Sequence, residues 1–312
     1  MDLSIIIVNW NTRDMLMDCL GAVFETVKGV SFEVWLVDNG STDGSVEAAK
    51  GAYPSIHTIS NKENLGFAAA NNQAFRRMAG KYALLVNTDA LLTHNAVKTL
   101  YDFMEARPGT GMACGQLLNR DGSKQNSIAS FPSLWALVSN ETLLRVLFPK
   151  KFPSKRWEYV QPLEVDSCIG ACMILRKTAL DAVGLFDERY FFFLEETDLA
   201  YKMKQAGWKV YFVPEARIFH FQGKSVGKRV DGRIMYYRSR YAFFKKWYGP
   251  WGLLAYPLVF FRLLINALLN LLAVLGTLGL QEKPKRKLSA YTRLITWHLQ
   301  GCPGGHTAYE RR

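Results

Sequence analysis

Cysteine is scarce in this 312-residue sequence, with Cys19, Cys114, Cys168, Cys172 and Cys302 the full set. An odd and sparse set excludes a disulfide framework and leads us to expect reduced, buried thiols that pack as small hydrophobes. Cys168 and Cys172 have no second Cys or His pair at zinc-site spacing, which excludes a zinc ribbon. A basic leader is also missing. Met1-Asp2-Leu3-Ser4 runs straight into Ile5–Val8, an apolar stretch too short for a secretory signal. A cytoplasmic chain is expected, and the sequons at Asn39 and Asn140 then read as chance matches. No G-x-G-x-x-G follows a strand-like run, which argues against a nicotinamide or flavin Rossmann enzyme. The segment Gly223–Lys228 is one residue short of a P-loop, and Arg229 stands where a Ser or Thr should hold magnesium.

Acidic residues are nearly absent from the C-terminal third. Residues 221–312 hold 3 acidic against 16 basic side chains, whereas residues 1–220 hold 24 against 23. The formal net charge of +12 therefore belongs to the tail. This excludes a uniformly basic nucleic-acid-binding fold and points to a near-neutral domain followed by a segment suited to an anionic surface. A hydrophobic fraction of 49% argues against global disorder.

Leu3–Val8 is a continuous, largely β-branched run, as expected of a strand buried on both faces. Helical spacing then extends to about Val27. Phe32–Val37 is a second strand, with a helix predicted from Ser45 and a short strand near His57–Ile59. A helix is expected over about Phe67–Ala79 and a strand over Tyr82–Val86. Alternating strands and helices imply βαβ units and a parallel sheet, in which ligands bind at the carboxyl ends of the strands. Three such ends carry polar clusters: Asn9–Asn11, Asp38–Asp43 and Asn87–Asp89. Further along, Met112–Leu117 reads as a strand and Asp121-Gly122 as a turn, while 131–160 is an irregular crossover. Val165–Leu175 reads as a strand pair or a strand bulged at Gly170, and Leu180–Val183 as a short helix. A helix from Glu195 to about Ala206 and strands over Trp208–Val213 and Arg217–Phe221 complete the domain.

Each cluster has a plain reading beside a chemical one. Asp38-Asn39-Gly40-Ser41 is ordinary turn chemistry, yet a carboxylate at a strand end also accepts hydrogen bonds from a base or ribose. Asp89 serves equally as a helix cap or as an oxygen ligand for a hard divalent cation. His220, after an apolar strand, is a structural or a ligating histidine. Glu195, Glu196 and Asp198 suit the first turn of a helix through its dipole. Desolvation by Phe191–Phe193 would instead raise a carboxyl pKa and fit it for general-base work.

Taken together, these stretches resemble the bacterial family 2 glycosyltransferases of the GT-A fold, especially their rhamnosyltransferase-like branch. The matching segments are Ile6–Asn11, Val37–Ser45, Asn64–Asn72, Leu85–Asp89, Gly170–Ile174, Gly184–Glu188, Glu195–Asp198 and His220–Ser225, in family order over about residues 3–225. The resemblance implies an α/β, Rossmann-like mixed sheet over 1–225 followed by a helical, membrane-associating region over 226–312. It implies a nucleotide-sugar donor held by Val8, Asn9, Asn11, Asp38, Asn39, Asn64, Gly66, Asn71, Asn87 and Thr88. Asp89, the last residue of the family's D-x-D, and His220 would bind a divalent metal, Mg2+ or Mn2+; Asn87 replaces the first Asp. Among the catalytic candidates Glu196, Glu195 and Asp198, Glu196 stands where the family usually has Asp and would act as base in an inverting single displacement. The implied reaction moves a sugar, with dTDP-rhamnose the leading donor, to a polyprenyl-diphosphate-linked or other glycan acceptor in cell-envelope polysaccharide synthesis. The competing class is a catalytically silent sugar-nucleotide-binding or scaffold protein at the membrane, prompted by Asn87 and Glu196.

In the tail, Leu263–Leu280 is mostly apolar, but Arg262, Asn266 and Asn270 share one helix face. This favours an amphipathic helix, or a pair of them, lying in the membrane plane with snorkelling basic residues. A spanning helix and a soluble core or dimer helix are the alternatives. Arg233–Trp247 mixes basic and aromatic residues, as expected beside anionic headgroups. The expected place is the cytoplasmic face of the inner membrane, as a peripheral or monotopic protein without nucleic-acid partners. Oligomers are compatible with this reading.

Overall fold

The computed structural model describes residues 1–139, 146–148, 153, 158–221 and 229–303. The sequon at Asn140, the Gly223–Lys228 segment and the boundary at 225/226 lie outside them. The chain divides into two compact units, one of 1–131 with 153–225 and one of 132–152 with 226–311.

The first unit is built on a nine-stranded mixed sheet. Strand β1 (Leu3–Asn9) pairs in parallel with β2 (Phe32–Asp38) and β4 (Tyr82–Val86), and β2 pairs in parallel with β3 (His57–Ser60). On the other side, β10 (Cys172–Arg176) runs antiparallel between β4 and β6 (Thr110–Leu118). Strand β11 (Lys209–His220) runs parallel to β6 and antiparallel to β5 (Ala90–Leu92). Strand β8 (Leu163–Glu164) adds to β11, and β7 (Ile128–Ala129) pairs separately with β9 (Ser167–Cys168). The β-branched run of β1 is buried on both faces as its sequence requires. Leu3, Ile5 and Ile7 point into one core layer and Ile6 into the other, because alternate side chains leave opposite faces of a strand.

Helix α1 (Arg13–Thr26) buries Leu16, Cys19, Leu20 and Val23, a stripe at helical spacing. Helix α2 (Ser45–Ala52) follows β2. Helix α3 (Phe67–Phe75) is shorter than the expected 67–79. The chain must turn after Phe75 to enter β4, and the Gly80 N–H donates to Ser4 Oγ at the start of that path. Helix α4 (Ala96–Ala106) precedes β6, and α5 (Leu134–Val138) clusters with the second unit. Helices α6 (Lys177–Val183) and α7 (Glu195–Gln205) complete the first unit. The Val165–Leu175 region resolves into two short strands with Gly170 in the turn between them.

The expected pair of strands after Trp208 is instead the single strand β11. Its register against β6 jumps between Val213 and Arg217, so extra residues are absorbed without ending the strand. Gly115 makes this possible. A Cβ at that position would collide with the Ala216 carbonyl oxygen.

All five cysteines are free thiols, four of them buried and Cys302 half-buried, as the composition suggests. Asn39 is only 2% exposed, so its sequon offers no accessible glycan acceptor.

In the second unit, α8 (Arg229–Tyr248) is joined by a 3-10 turn (Gly249–Leu254) to α9 (Ala255–Gly276), and these two helices share with α10 (Glu282–Leu299) a small core of Tyr241, Phe244, Val259, Leu263, Leu294 and Trp297. Tyr241 stacks on Tyr256 with ring centroids 4.0 Å apart, and its hydroxyl lies 2.5 Å from His298 Nε2. The apolar stretch is thus one helix of 22 residues, about 33 Å long. By length and composition it can cross a membrane, and only 11% of its apolar window is buried. Phe261, Ile265, Leu268, Leu269, Leu272 and Leu275 are all more than half exposed.

Candidate active site

Strand direction brings the polar clusters to one edge. β1, β2 and β4 are mutually parallel, so Asn9, Asp38 and Asn87–Asp89 all follow carboxyl ends on the same side. β10 is antiparallel to both β4 and β6, and β11 is parallel to β6. The C-terminal end of β11, His220, and the entry to β10 at Gly170-Ala171 therefore reach that side too. Hydrogen bonds close the gaps. Asn87 N–H donates to the Ala171 carbonyl at 2.9 Å, and Phe221 N–H to the Asp89 carbonyl at 2.8 Å.

Asn9 and Asp38 stand directly opposite each other in the β1–β2 register. Asn9 Nδ2 donates to Asp38 Oδ1 at 2.8 Å. The Ser41 hydroxyl donates to the same oxygen at 2.6 Å, and Ser41 N–H donates to Asp38 Oδ2 at 2.8 Å. Asp38 is therefore first the organiser of its loop, so its turn chemistry and its place in the site coincide. Ser41 Oγ also accepts from Asn11 N–H at 2.8 Å, and Asn11 Oδ1 accepts from Thr42 N–H at 2.8 Å. Asn11 holds φ +52°, a left-handed value that Asn tolerates better than most residues. Val8, one residue before Asn9, is half-buried. Thr12 bridges two clusters, donating to Asn9 Oδ1 at 2.7 Å and lying 3.0 Å from Thr88 Oγ1.

The 64–72 segment is tied in on both sides. Asn39 Nδ2 donates to Asn64 Oδ1 at 3.1 Å and to the Gly66 carbonyl at 3.2 Å. Asn71 Nδ2 donates within α3 to Phe67 O at 2.8 Å. Asn72 exchanges hydrogen bonds with the Phe186 backbone, which fixes the 184–188 segment. Gly66 has φ +84°, and an added Cβ would lie 2.5 Å from Phe191 O and 2.7 Å from the Phe191 ring. Gly66→Ala is expected to destabilise the fold by more than about 1 kcal/mol in urea denaturation, because positive φ and close approach oppose it together.

That contact leads to the carboxylates. Phe67 N–H donates to Phe191 O at 2.8 Å. Phe193 and Leu194 then both hold positive φ, +70° and +66°, immediately before Glu195 and Glu196 open α7. Two consecutive non-glycine residues in the left-handed region store strain where the carboxylates are presented. Glu195 is 4% exposed, and burial, with Glu196 as a like charge beside it, holds its carboxyl well above the usual range. Glu196 is half-buried beside Gly170, whose added Cβ would sit 3.9 Å from Glu196 Cγ. Burial pushes its carboxyl up to about 7, against the pull of the nearby backbone N–H groups of the helix start. One oxygen of each glutamate, Oε2, is buried without a hydrogen-bond donor. Asp198 is fully buried and accepts from the Tyr190 hydroxyl at 3.1 Å.

A folded carboxyl that titrates at about 7 instead of 4.5 binds a proton that the unfolded chain has already released. Stability is thus expected to fall as pH rises through that window. Urea midpoints at pH 5 and pH 8 check this, and Glu195→Gln/Glu196→Gln should flatten the difference.

Asp89 and His220 meet at the far end of the edge. His220 Nε2 lies 3.3 Å from Asp89 Oδ1, both side chains being buried. Gln125 Nε2 donates to the His220 carbonyl, which orients its amide, and Gln125 Oε1 sits 3.0 Å from His220 Nδ1. With a proton on Nδ1 donated to that acceptor, Nε2 is the nitrogen left to face the carboxylate, as a lone pair in the neutral ring. Asp89 Oδ1 indeed has no hydrogen-bond donor. Two acceptors face each other there, an arrangement that a cation between them satisfies. Such a histidine, with its second nitrogen held by a carbonyl-type oxygen, is the usual supported metal ligand. No group of three or more His, Cys, Asp or Glu side chains is placed to hold a metal ion among the described residues. Two protein ligands fit a small hard cation that keeps waters and takes substrate phosphate oxygens. The side chain of Asn87, half-buried, makes no hydrogen bond among the described residues.

The sequence alone did not assign roles to Thr12, Ser41, Gly170 or Gln125. Ser41 and Gly170 lie inside motif stretches, but their local patterns read as a turn at Ser41 and as a strand pair or bulge at Gly170. Gln125 reaches His220 across 95 positions, and no local signal marks that contact.

The glycosyl transferase family 2 model matches residues 4–184. A curated relative, the N-acetylglucosaminyl-diphospho-decaprenol L-rhamnosyltransferase of Mycobacterium tuberculosis, is 30% identical over 234 residues, covering 70% of this chain and 76% of its own. The rhamnosyltransferase WbbL of Escherichia coli is 27% identical over 167 residues, covering 50% of this chain and 61% of its own. Among solved structures, the mannosyltransferase PcManGT from Pyrobaculum calidifontis, in complex with GDP-Man and Mn2+, superposes with a TM-score of 0.58 at 18% identity. It covers 95% of this chain and 87% of that one, a likeness of fold.

Proposed function

The chain belongs to glycosyl transferase family 2 and has the GT-A fold of a nucleotide-sugar-dependent transferase, and on that premise we propose that it transfers L-rhamnose from dTDP-rhamnose to a polyprenyl-diphosphate-linked glycan during cell-envelope polysaccharide synthesis. The names of both rhamnosyltransferase relatives support rhamnose as the sugar, and that of the Mycobacterium tuberculosis enzyme supports a diphosphate-lipid-linked acceptor. The single observation that carries the chemistry is the half-buried, proton-hungry Glu196 on the same sheet edge as Asp89 and His220.

In this reading the loop organised by Asn9, Asp38 and Ser41, with Val8, Asn11, Asn39, Asn64, Gly66 and Asn71 around it, holds the nucleoside end of the donor. Asn87 and Thr88 sit toward its diphosphate. Glu196 takes the proton from an acceptor hydroxyl, the hydroxyl oxygen bonds to the anomeric carbon, and the nucleoside diphosphate leaves with the bonding pair, inverting the centre. Glu195, whose burial favours the protonated form, stays out of the proton transfer, and Asp198 fixes the helix start through Tyr190. Asp89 and His220 would hold Mg2+ or Mn2+, which when bound supplies charge neutralisation for the diphosphate. A glutamate in the base position keeps carboxylate chemistry, which favours transfer over silent binding.

The second unit is proposed to seat the protein on the cytoplasmic face of the inner membrane. The bare apolar side of α9 and the basic excess of the tail support an anionic lipid surface. The test is a panel of UDP-, GDP- and dTDP-sugars offered with a prenyl-diphosphate-linked N-acetylglucosamine acceptor. Fastest turnover is expected with dTDP-rhamnose. Binding without turnover on every donor would leave only the silent binding protein.

A further inference from the structure

The second unit contains a pocket of about 280 Å³ to which the proposed reaction assigns nothing. Arg233, Tyr236, Tyr237 and Arg240 face it from α8 at three-, four- and seven-residue spacing, which places them on one face of the helix. Arg262 and Asn266, four apart, face it from α9. Among the described residues no carboxylate lines it, and no ion pair engages any of the three arginines. Part of this arrangement is structural. Arg262 Nη1 donates to Ala136 O at 3.2 Å and Leu137 O at 2.9 Å, capping the end of α5. Arg233 lies 5.6 Å from the Tyr291 ring centre and Arg240 5.8 Å from that of Tyr236. Ring contacts use the guanidinium faces and leave the in-plane N–H groups unspent. Arg240 Nε is buried and has no hydrogen-bond partner among the described residues.

Three like charges around one pocket, with an unsatisfied buried donor, call for an anion with several oxygens. Planar guanidinium forks match phosphoryl oxygens in bidentate pairs. The same helix that brings Arg262 and Asn266 to the pocket carries the bare apolar residues Phe261, Ile265 and Leu268 on its other sides, and bare Leu269 two turns beyond Arg262 on the same face. A ligand with a phosphoryl head and a hydrocarbon chain satisfies both surfaces. We propose that this pocket is the site for the prenyl diphosphate end of the acceptor. The inference rests on the reading of a lipid-linked acceptor above. A diphosphate suits three arginines better than the single negative charge of a common phospholipid head.

The full chain in neutral-lipid nanodiscs tests this, with farnesyl diphosphate, inorganic diphosphate, farnesol and phosphatidylglycerol as probes. Farnesyl diphosphate is expected to bind more tightly than inorganic diphosphate or farnesol, and to resist displacement by phosphatidylglycerol. Arg233→Gln/Arg240→Gln should weaken it at least about tenfold, since charge-assisted pairs are lost, while nucleotide-sugar binding stays unchanged and certifies the fold. Arg240→Lys, which keeps the charge but loses Nε and the fork, should fall between. Unchanged affinity in the double variant, or equal competition by phosphatidylglycerol, would overturn the proposal. The two readings separate cleanly. Transfer to a lipid acceptor with an unaltered acceptor KM in the double variant refutes the pocket alone. Arginine-dependent farnesyl diphosphate binding without transfer to any acceptor refutes the proposed reaction alone.

Discussion

Glu196→Gln is expected to lower kcat for sugar transfer by about 100- to 10,000-fold, the usual contribution of a positioned general base, while leaving donor affinity unchanged. The amide keeps the shape of the side chain and cannot accept the hydroxyl proton. Two features of the structure make Glu196 the residue to change. It is only half-buried, whereas Glu195 is 4% exposed, so a substrate hydroxyl can reach it. Burial also pushes its carboxyl up to about 7, which raises its basicity toward that of a working base near neutral pH. The sign of the pH profile follows. The base acts as the carboxylate, so activity should rise with pH through about 7 and then level. Glu196→Asp, one methylene shorter, should retain transfer in part and shift that limb. Glu195→Gln should stay within about tenfold of the parent, because burial favours the protonated form of its carboxyl, which cannot accept a proton. Steady-state kinetics on the three variants, with donor binding measured separately, check this. Full activity in Glu196→Gln together with loss in Glu195→Gln would exchange the roles.

Asp89→Asn is expected to lose at least about 100-fold in turnover, the scale of losing one preorganised charge contact at a developing anion, yet to fold at least as stably as the parent. The two halves of this expectation have one cause. Asp89 Oδ1 is buried without a hydrogen-bond donor and faces His220 Nε2 at 3.3 Å. Facing a neutral imidazole with no cation between them, that oxygen bears a desolvation cost with no donor to offset it. An asparagine amide can donate to the imidazole and relieve it. Removal of a purely structural ion pair would instead lower the urea midpoint. The check is a denaturation curve beside a Mn2+ titration of donor binding, in which the variant should lose its metal response. Gln125→Ala, which frees the His220 ring at Nδ1, should weaken the same response about 10- to 100-fold. A stable, metal-responsive Asp89→Asn enzyme would rule out this site.

Much of the first unit was legible beforehand for definite reasons. Strands buried on both faces announce themselves as unbroken β-branched runs, so Leu3–Val8 and Tyr82–Val86 match β1 and β4 closely. Polar clusters at the ends of such runs mark the ligand edge, and the order of the short motifs carries the family. Local propensity failed where distant backbone decides. The 67–79 helix ends at Phe75 because the chain must reach β4, and β11 stays one strand because Gly115 lets its bulge approach β6. In the tail, helical periodicity placed Arg262 and Asn266 on one face. That they share a pocket with α8 is a matter of packing.

The sequence by itself determined the class of fold, the family and the identity of the chemical groups, because these depend on residue type and on spacing within a few turns or strands. It also determined that the net positive charge lies in the last third of the chain. The tertiary structure decided which groups can act. It separated Glu196 from Glu195 by burial, turned Asp38 into the organiser of its loop, and set Gln125 behind His220 from 95 positions away. Desolvation and hydrogen-bond geometry depend on neighbours far apart in the chain, and only the packed sheet edge brings those neighbours together.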